Sequence, residues 1–141
     1  MAEWSIQQAR ELYHVAHWSD GFFDICERGR LRAYPHGISN HLQKIDLYDL
    51  AQKIADSGIT FPVLIRFPDI LRKRIQTLNT AFNNAIKSHD YQGGYLSAYP
   101  IKVNQMREVV EEIVDAGAPY DYGLEAGSKP ELLSVLAFND N

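Results

Sequence analysis

Two long stretches of the chain repeat apolar residues at the three- and four-residue spacing of an amphipathic helix. The first opens at Pro68 and Asp69, and its apolar positions recur at alternating steps of four and three: Leu71, Ile75, Leu78, Phe82 and Ile86. The second follows Asn104, a suitable capping residue, and its inner face carries Met106, Val109 or Val110, Ile113 and Val114. Gly93 and Gly94 break the first helix, and Gly117 ends the second.

Three shorter helices are predicted from their capping residues. Ser5 with Gln8 forms a capping-box pattern that opens a helix through about Tyr13. Asp46 can cap a helix that ends at Gly58, with its apolar face formed by Leu47, Leu50, Ala51 and Ile54. A second capping box, Ser128 with Glu131, precedes an apolar run over 132–136.

Short apolar runs alternate with the later helices. They lie at 61–67, at 95–102 and around Tyr122 and Leu124, and each is followed by a predicted helix. Parallel strands need crossover connections, which these helices supply. The pattern therefore predicts an α/β fold with three successive strand-helix units, a parallel sheet and helices outside it.

The first part of the chain has a different pattern. An apolar run over 22–26, turn residues over 27–30 and a returning run over 31–34, stopped by Pro35, predict a β-hairpin. The aromatic side chains of Trp18, Phe22 and Phe23 are interpreted as core packing rather than a ligand platform. We place a domain boundary after this segment, which gives domains at 1–45 and 46–141.

Composition narrows the function classes. The 141 residues carry a net charge of -4, which indicates neither a basic nucleic-acid surface nor an acidic tail. The single cysteine, Cys26, excludes an intrachain disulfide and favours a reducing compartment. No apolar run approaches the roughly 20 residues that cross a bilayer. The five histidines show no spacing typical of a metal site, so we expect no metal there.

Lys102 is the main candidate for chemistry. It lies between Ile101 and Val103 where the second strand run meets the following helix. A primary amine among apolar neighbours loses hydration, and this favours the neutral form that attacks a carbonyl group, as a Schiff-base lysine must. The alternative is an ordinary strand-end lysine whose ammonium group reaches water.

Glu125 is the second candidate. It follows the third strand run, and chemistry in parallel sheets collects where the strands end, so Lys102 and Glu125 are expected at one edge. A solvent-facing carboxylate is the alternative interpretation. Ser128 is interpreted as a helix cap rather than a phosphate ligand. Gly123 and Gly127 do not have the spacing of a phosphate-binding loop.

Two motifs resemble a known family. The run Tyr-Pro-Ile-Lys-Val-Asn-Gln at 99–105 and the run Gly-Leu-Glu-Ala-Gly-Ser-Lys-Pro-Glu-Leu at 123–132 are similar to the amino-terminal part of the biosynthetic arginine decarboxylases. These are pyridoxal-phosphate enzymes of the alanine-racemase-like barrel class. The resemblance implies the first three units of a (β/α)8 TIM-type barrel, preceded by a helix and hairpin that contribute to a second, β-rich domain.

The resemblance also implies a function. Lys102 matches the lysine that binds pyridoxal 5'-phosphate, and Glu125 matches an acidic position near it. The expected reaction is decarboxylation of L-arginine to agmatine and CO2 in polyamine biosynthesis, by a cytoplasmic protein that is homo-oligomeric when full length. Nucleic-acid and membrane partners are not expected, and Mg2+ is allowed by the resemblance alone.

A closed barrel needs about 250 residues, whereas residues 61–141 hold three units. We therefore expect an incomplete domain, with the phosphate and guanidinium sites beyond residue 141, and an inactive chain in isolation. Ornithine or diaminopimelate decarboxylase and a non-catalytic pyridoxal-phosphate barrel protein stay open as alternatives.

Overall fold

The computed structural model describes residues 4–138, and the chain divides into two compact units, residues 1–70 and 71–141. The first unit contains two short helices, α1 (Ile6–Leu12) and α2 (Val15–Ser19). Three short strands follow, β1 (Phe23–Ile25), β2 (Leu31–Ala33) and β3 (Ile45–Asp46), and then α3 (Leu47–Asp56). The long helix α4 (Pro68–Ser88) begins just before the division.

The strands of the first unit form an antiparallel sheet in the order β1-β2-β3. The hairpin register pairs Phe23 with Ala33 and Ile25 with Leu31, which confirms the predicted hairpin. Gly29 adopts a positive φ of 71° in the turn, a conformation that costs glycine little. Phe22, Cys26 and Ala33 are buried in this unit. Of the aromatic residues predicted to pack in the core, Phe22 is buried, whereas Trp18 is 54% exposed and its ring lies 5.5 Å from that of the half-buried Phe23.

Charged contacts join the helix α1 to this sheet. The Arg10 guanidinium donates to both carboxylate oxygens of Asp24 at 2.7 Å and to the Ile25 carbonyl at 2.8 Å. The bond to Asp24 is the main reason why the pKa of Arg10 is raised. The two-pronged geometry fixes α1 against β1 because both bonds must form together.

Asp46 connects the sheet to α3. Its carboxylate accepts hydrogen bonds from the Tyr48 and Asp49 N–H groups at 3.2 and 3.3 Å, and so caps α3 as predicted. Three guanidinium groups face the same carboxylate: Arg28 at 3.4 Å, Arg30 at 3.8 Å and Arg32 at 3.7 Å. Gly58 follows the end of the helix with a φ of 82°.

The second unit carries one parallel strand pair with its crossover helix. After α4 come β4 (Ala98–Pro100), a 3-10 turn (Ile101–Val103) and α5 (Arg107–Gly117). A second 3-10 turn (Ala118–Tyr120), β5 (Gly123–Glu125) and α6 (Lys129–Leu136) complete it. Strands β4 and β5 are parallel, in a register that pairs Tyr99 with Leu124. The helices predicted from Pro68, after Asn104 and after Ser128 are present as α4, α5 and α6, with the first ending at Ser88, before Gly93.

The core of the second unit lies between the helices and β4. Ile75 of α4 packs with Val109 and Ile113 of α5. Around this cluster lie further half-buried side chains, several of them aromatic: Leu71, Tyr99, Ala116, Tyr120 and Tyr122. The helix periodicity identified the packing faces in part: Ile75 and Ile113 of the predicted stripes lie in this cluster, whereas Phe82 is exposed.

The strand predicted at 61–67 is not formed within the described residues. This segment is assigned neither helix nor strand, because no neighbouring backbone pairs with it there. Its side chains still alternate, with Val63, Ile65 and Phe67 half-buried and Leu64 74% exposed. The apolar run alone therefore did not establish a strand, because a strand is defined by a hydrogen-bonded neighbour that the run does not supply.

Other boundaries differ from the sequence prediction. The run at 95–102 forms only the three-residue strand β4, because the backbone turns into a 3-10 helix at Ile101. Asn104 does not cap α5; its side-chain oxygen accepts from the Met106 N–H at 3.0 Å in a turn before the helix. The sequence pattern missed α2 and β3, which are too short for a detectable period.

The predicted division at 45/46 falls inside β3, and the domain organisation of the whole protein stays a prediction. Within residues 4–138, no helix is long and apolar enough to cross a membrane.

Asp46 generates a pH-dependent prediction. Burial raises the pKa of Asp46. The hydrogen bonds from the Asp49 and Tyr48 N–H groups and the charges of Arg30 and Arg28 lower it by more in total, so the pKa lies below its usual value. A lowered folded-state pKa stabilises the fold above the unfolded value near 4 and loses that stabilisation as the pH falls. Asp46→Asn, which keeps a capping oxygen, should therefore lose less unfolding free energy than wild type between about pH 6 and 3 in urea titrations.

The matched control is Asp56→Asn, which removes an exposed carboxylate from the same helix. This variant should keep the wild-type pH dependence. Equal pH dependence in Asp46→Asn and wild type would contradict the role given to Asp46.

Ile101 and Val103 generate a stability prediction. Ile101 is fully buried, whereas Val103, two residues further, is 68% exposed. Ile101→Ala should lower the free energy of unfolding by about 2–5 kcal/mol because it leaves a cavity. Val103→Ala should change it by less than about 0.5 kcal/mol. Urea unfolding measures both, and similar losses in the two variants would show that Ile101 does not anchor the turn.

Candidate functional site

Lys102 lies in the 3-10 turn directly after β4, at the carboxyl end of a parallel strand. Ile101, at the start of the turn, is fully buried, and Lys102 itself is exposed. A 3-10 helix has about three residues per turn, so consecutive side chains point in directions about 120° apart. The buried isoleucine therefore directs the lysine side chain outward.

This placement corrects one part of the sequence argument. The apolar neighbours Ile101 and Val103 were expected to remove water from the Lys102 amine. Within the described residues they do not, because Ile101 points inward and Val103 is itself exposed. The amine is instead accessible at the end of the strand, where a bound molecule could reach it.

Glu125 is the last residue of β5, and its carboxylate is exposed. The strand register pairs Glu125 with Pro100, two residues before Lys102. Because β4 and β5 are parallel neighbours, both residues lie at the same edge of the sheet. The sequence expectation that Lys102 and Glu125 share one edge is therefore confirmed, whereas their chemical roles stay predictions.

The loop after β5 is fixed by hydrogen bonds at the start of α6. The Ser128 hydroxyl accepts from the Glu131 N–H at 3.4 Å, which confirms Ser128 as the helix cap. The Glu131 carboxylate accepts from the Gly127 N–H at 2.7 Å, one residue earlier than in a standard capping box.

A Cβ placed on Gly127 would make ordinary contacts, 3.6 Å from Oε1 of Glu125 and 3.5 Å from Oε2 of Glu131. The space around Gly127 therefore does not require a glycine at this position. Helix α6 also contacts the 3-10 turn that carries Lys102. The site edge is therefore bordered by the turn after β4 and by the loop and helix after β5.

The sequence did not indicate one contact of this site. The Tyr99 hydroxyl donates to the Asn104 carbonyl at 3.2 Å, across the turn that carries Lys102. Tyr99 belongs to the motif at 99–105, and the sequence pattern placed it in the second strand run without a polar contact. The sequence signal for this bond was that Tyr99 and Asn104 lie on either side of Lys102. The bond forms only across the 3-10 turn, which the pattern did not predict.

Histidines do not form a metal site in residues 4–138, since no group of three or more potential ligands is close enough together there. The rings of His14 and His17 lie 5.7 Å apart, edge to face. Their spacing by three residues therefore gives a ring contact in the first unit.

The arrangement can hold a carbonyl compound through an amine, with a carboxylate at the adjacent strand end. An accessible lysine amine is the group that attacks an aldehyde. A nearby carboxylate favours the protonated form of a neighbouring nitrogen. These two residues fit the aldehyde part of pyridoxal phosphate.

Comparisons with known proteins agree with the motif resemblance. No protein-family model matches the chain. Biosynthetic arginine decarboxylases from Gloeobacter violaceus and Shewanella frigidimarina are each 49% identical to it, over 97% of this chain. The same protein from Shewanella amazonensis is 50% identical over 97% of this chain. The chain spans about a fifth of these relatives, between 21% and 22% of their length.

A solved structure shares the fold. The crystal structure of the biosynthetic arginine decarboxylase SpeA from Campylobacter jejuni is 37% identical, with a TM-score of 0.80, over 91% of this chain and 21% of that one. The α/β fold is therefore that of the corresponding region of SpeA. Together these matches confirm the resemblance. Over nearly its whole length, the chain is homologous to a region of the biosynthetic arginine decarboxylases that makes up about one fifth of their length.

Proposed function

We propose that the protein carrying this chain decarboxylates L-arginine to agmatine and CO2 in polyamine biosynthesis. The observation that carries the proposal is the 49% identity to biosynthetic arginine decarboxylases over 97% of the chain. The position of Lys102 and Glu125 at neighbouring strand ends supports it independently, because chemistry in parallel sheets collects there.

Lys102 would hold pyridoxal 5'-phosphate through its amine. When bound, this cofactor withdraws the electron pair that remains as the carboxylate of the substrate leaves as CO2. The chain's own contribution is to present the amine: Ile101 anchors the turn, and the Lys102 side chain is exposed at the strand end. Glu125 would place a negative charge beside the bound nitrogen and keep it protonated.

The architecture of the whole protein belongs to the same proposal. The parallel strands β4 and β5, connected by α5, form one βαβ unit. We infer that it is part of a (β/α)8 barrel, and that residues 1–45 contribute to a separate β-rich domain. A cytoplasmic homo-oligomer is proposed with it, and Mg2+ remains an expectation from the family alone.

The names of the relatives favour arginine over other substrates. The three relatives and the solved structure described above are all called biosynthetic arginine decarboxylases. Ornithine and diaminopimelate decarboxylases, or a barrel that binds the cofactor without catalysis, would need a different assignment of the same lysine motif. No contact in the described residues favours one of these.

Lys102 should be the residue that binds the cofactor. Borohydride treatment of the full-length protein loaded with pyridoxal phosphate should fix the label on Lys102, because its exposed amine lies at the site edge. Peptide mapping by mass spectrometry identifies the labelled residue.

The matched control uses a second exposed lysine near the same edge, Lys129 at the start of α6. Lys129→Ala should keep the label, and Lys102→Ala should remove it together with the visible absorbance of the cofactor. A label on Lys129 or Lys87 would overturn the assignment.

Glu125 should set the pH dependence of the bound cofactor. Glu125→Gln in the full-length protein removes one negative charge while keeping the size of the side chain. A carboxylate within a few ångströms stabilises a neighbouring cation, so its loss should move the midpoint of the visible-absorbance titration about one unit to lower pH. Turnover should fall as well.

Glu108→Gln is the control, because it makes the same charge change on the exposed first turn of α5. It should leave both the titration and the turnover as in wild type. If Glu125→Gln behaved like this control, Glu125 would be a solvent-facing carboxylate, and the assignment of Lys102 would be unaffected.

A further inference from the structure

One side-chain hydrogen bond encloses the turn that carries Lys102. The Tyr99 hydroxyl lies 3.2 Å from the Asn104 carbonyl oxygen and donates to it. Tyr99 belongs to β4 and lies three positions before Lys102, and Asn104 lies two positions after Lys102. The bond therefore joins the two ends of a short segment whose exposed centre is the lysine.

The donor side of this bond is fixed by packing. The Tyr99 ring lies against the core cluster of Ile75, Val109 and Ile113. An aromatic ring held in this way has few alternative rotamers, so its hydroxyl stays directed at one point. The core of the second unit thus determines where the Asn104 carbonyl lies.

The acceptor side is fixed by a second contact. The Asn104 side-chain oxygen accepts from the Met106 N–H at 3.0 Å, and Met106 directly precedes α5. Asn104 is therefore connected to Tyr99 through its carbonyl and to the start of α5 through its side chain. Between these connections, Ile101 is fully buried and anchors the turn by packing.

We propose that Tyr99 is a positioning residue for Lys102. Its hydroxyl closes the turn and holds the lysine amine in the direction that the cofactor requires, without touching the cofactor itself. The functional half of this inference rests on the proposed function, since it concerns a lysine that binds pyridoxal phosphate. Reactions of a held amine lose rate when the direction of attack becomes variable.

Two variants distinguish the role of the Tyr99 hydroxyl from the role of its ring. Tyr99→Phe keeps the packing and removes the bond to Asn104. Tyr122→Phe is the matched control, because Tyr122 packs against the same core cluster. Burial raises the pKa of Tyr122, and its side chain is half-buried, as that of Tyr99 is. Both variants remove one phenolic oxygen, and only the first removes the bond across the turn.

Two measurements on the full-length protein test the inference. Hydrogen exchange of the cofactor-free protein, read on peptides that cover residues 99–106, reports the closure of the turn. The rate at which added pyridoxal phosphate becomes trapped on Lys102 by borohydride reports the position of the amine. Loss of one such hydrogen bond should make exchange about 3- to 10-fold faster and trapping about 3- to 10-fold slower in Tyr99→Phe.

The outcomes are distinct. Both changes in Tyr99→Phe, with wild-type values in Tyr122→Phe, support the inference. Unchanged exchange in Tyr99→Phe overturns the closure of the turn, whatever the cofactor does. Faster exchange with unchanged trapping overturns the positioning role. If wild type traps no cofactor on Lys102, the proposed function fails and the positioning role fails with it, while the exchange result still decides whether the bond closes the turn.

Discussion

The parallel pairing of β4 with β5 is the constraint on which the candidate site depends. Its register places Pro100 beside Glu125, so Glu125 and the turn after β4 that carries Lys102 lie at one edge. A shift by one residue would turn every side chain of a strand to the opposite face. The Gly123 N–H donates to the Ser97 carbonyl at 2.8 Å at the beginning of the pair, and this bond helps to fix the register.

The packing of the second unit supports this pairing from one side. Tyr99 of β4 lies in the same cluster as Ile75 of α4 and Ile113 of α5, so the strand cannot shift without breaking the core. The site residues themselves add little to that core: Lys102 and Glu125 are both exposed. Stability and chemistry are therefore separated, with buried apolar side chains fixing the backbone and exposed polar side chains available to a ligand.

The sequence predicted the helices best, because caps and apolar stripes are local signals. Asp46 caps α3 and Ser128 caps α6, and Ile75 and Ile113 lie in the core as their spacing indicated. The segment at 61–67 was predicted wrongly as a strand, since strand formation depends on a distant neighbour that a local pattern does not contain.

For the site, the sequence identified the shared edge of Lys102 and Glu125, because the end of a strand run is visible in the pattern. It did not predict the 3-10 turn, and so it placed Lys102 among apolar side chains when the amine is exposed. The bond from Tyr99 to Asn104 was missed for the same reason, because it forms only when the backbone turns after Pro100.

The most direct test of the shared site is a crystal structure of the full-length protein with pyridoxal phosphate bound. We predict continuous electron density between the cofactor and the Lys102 side chain, with the Glu125 carboxylate facing the cofactor from the neighbouring strand end. Density that joins the cofactor to a different lysine, or a Glu125 side chain directed away from it into solvent, would contradict the account.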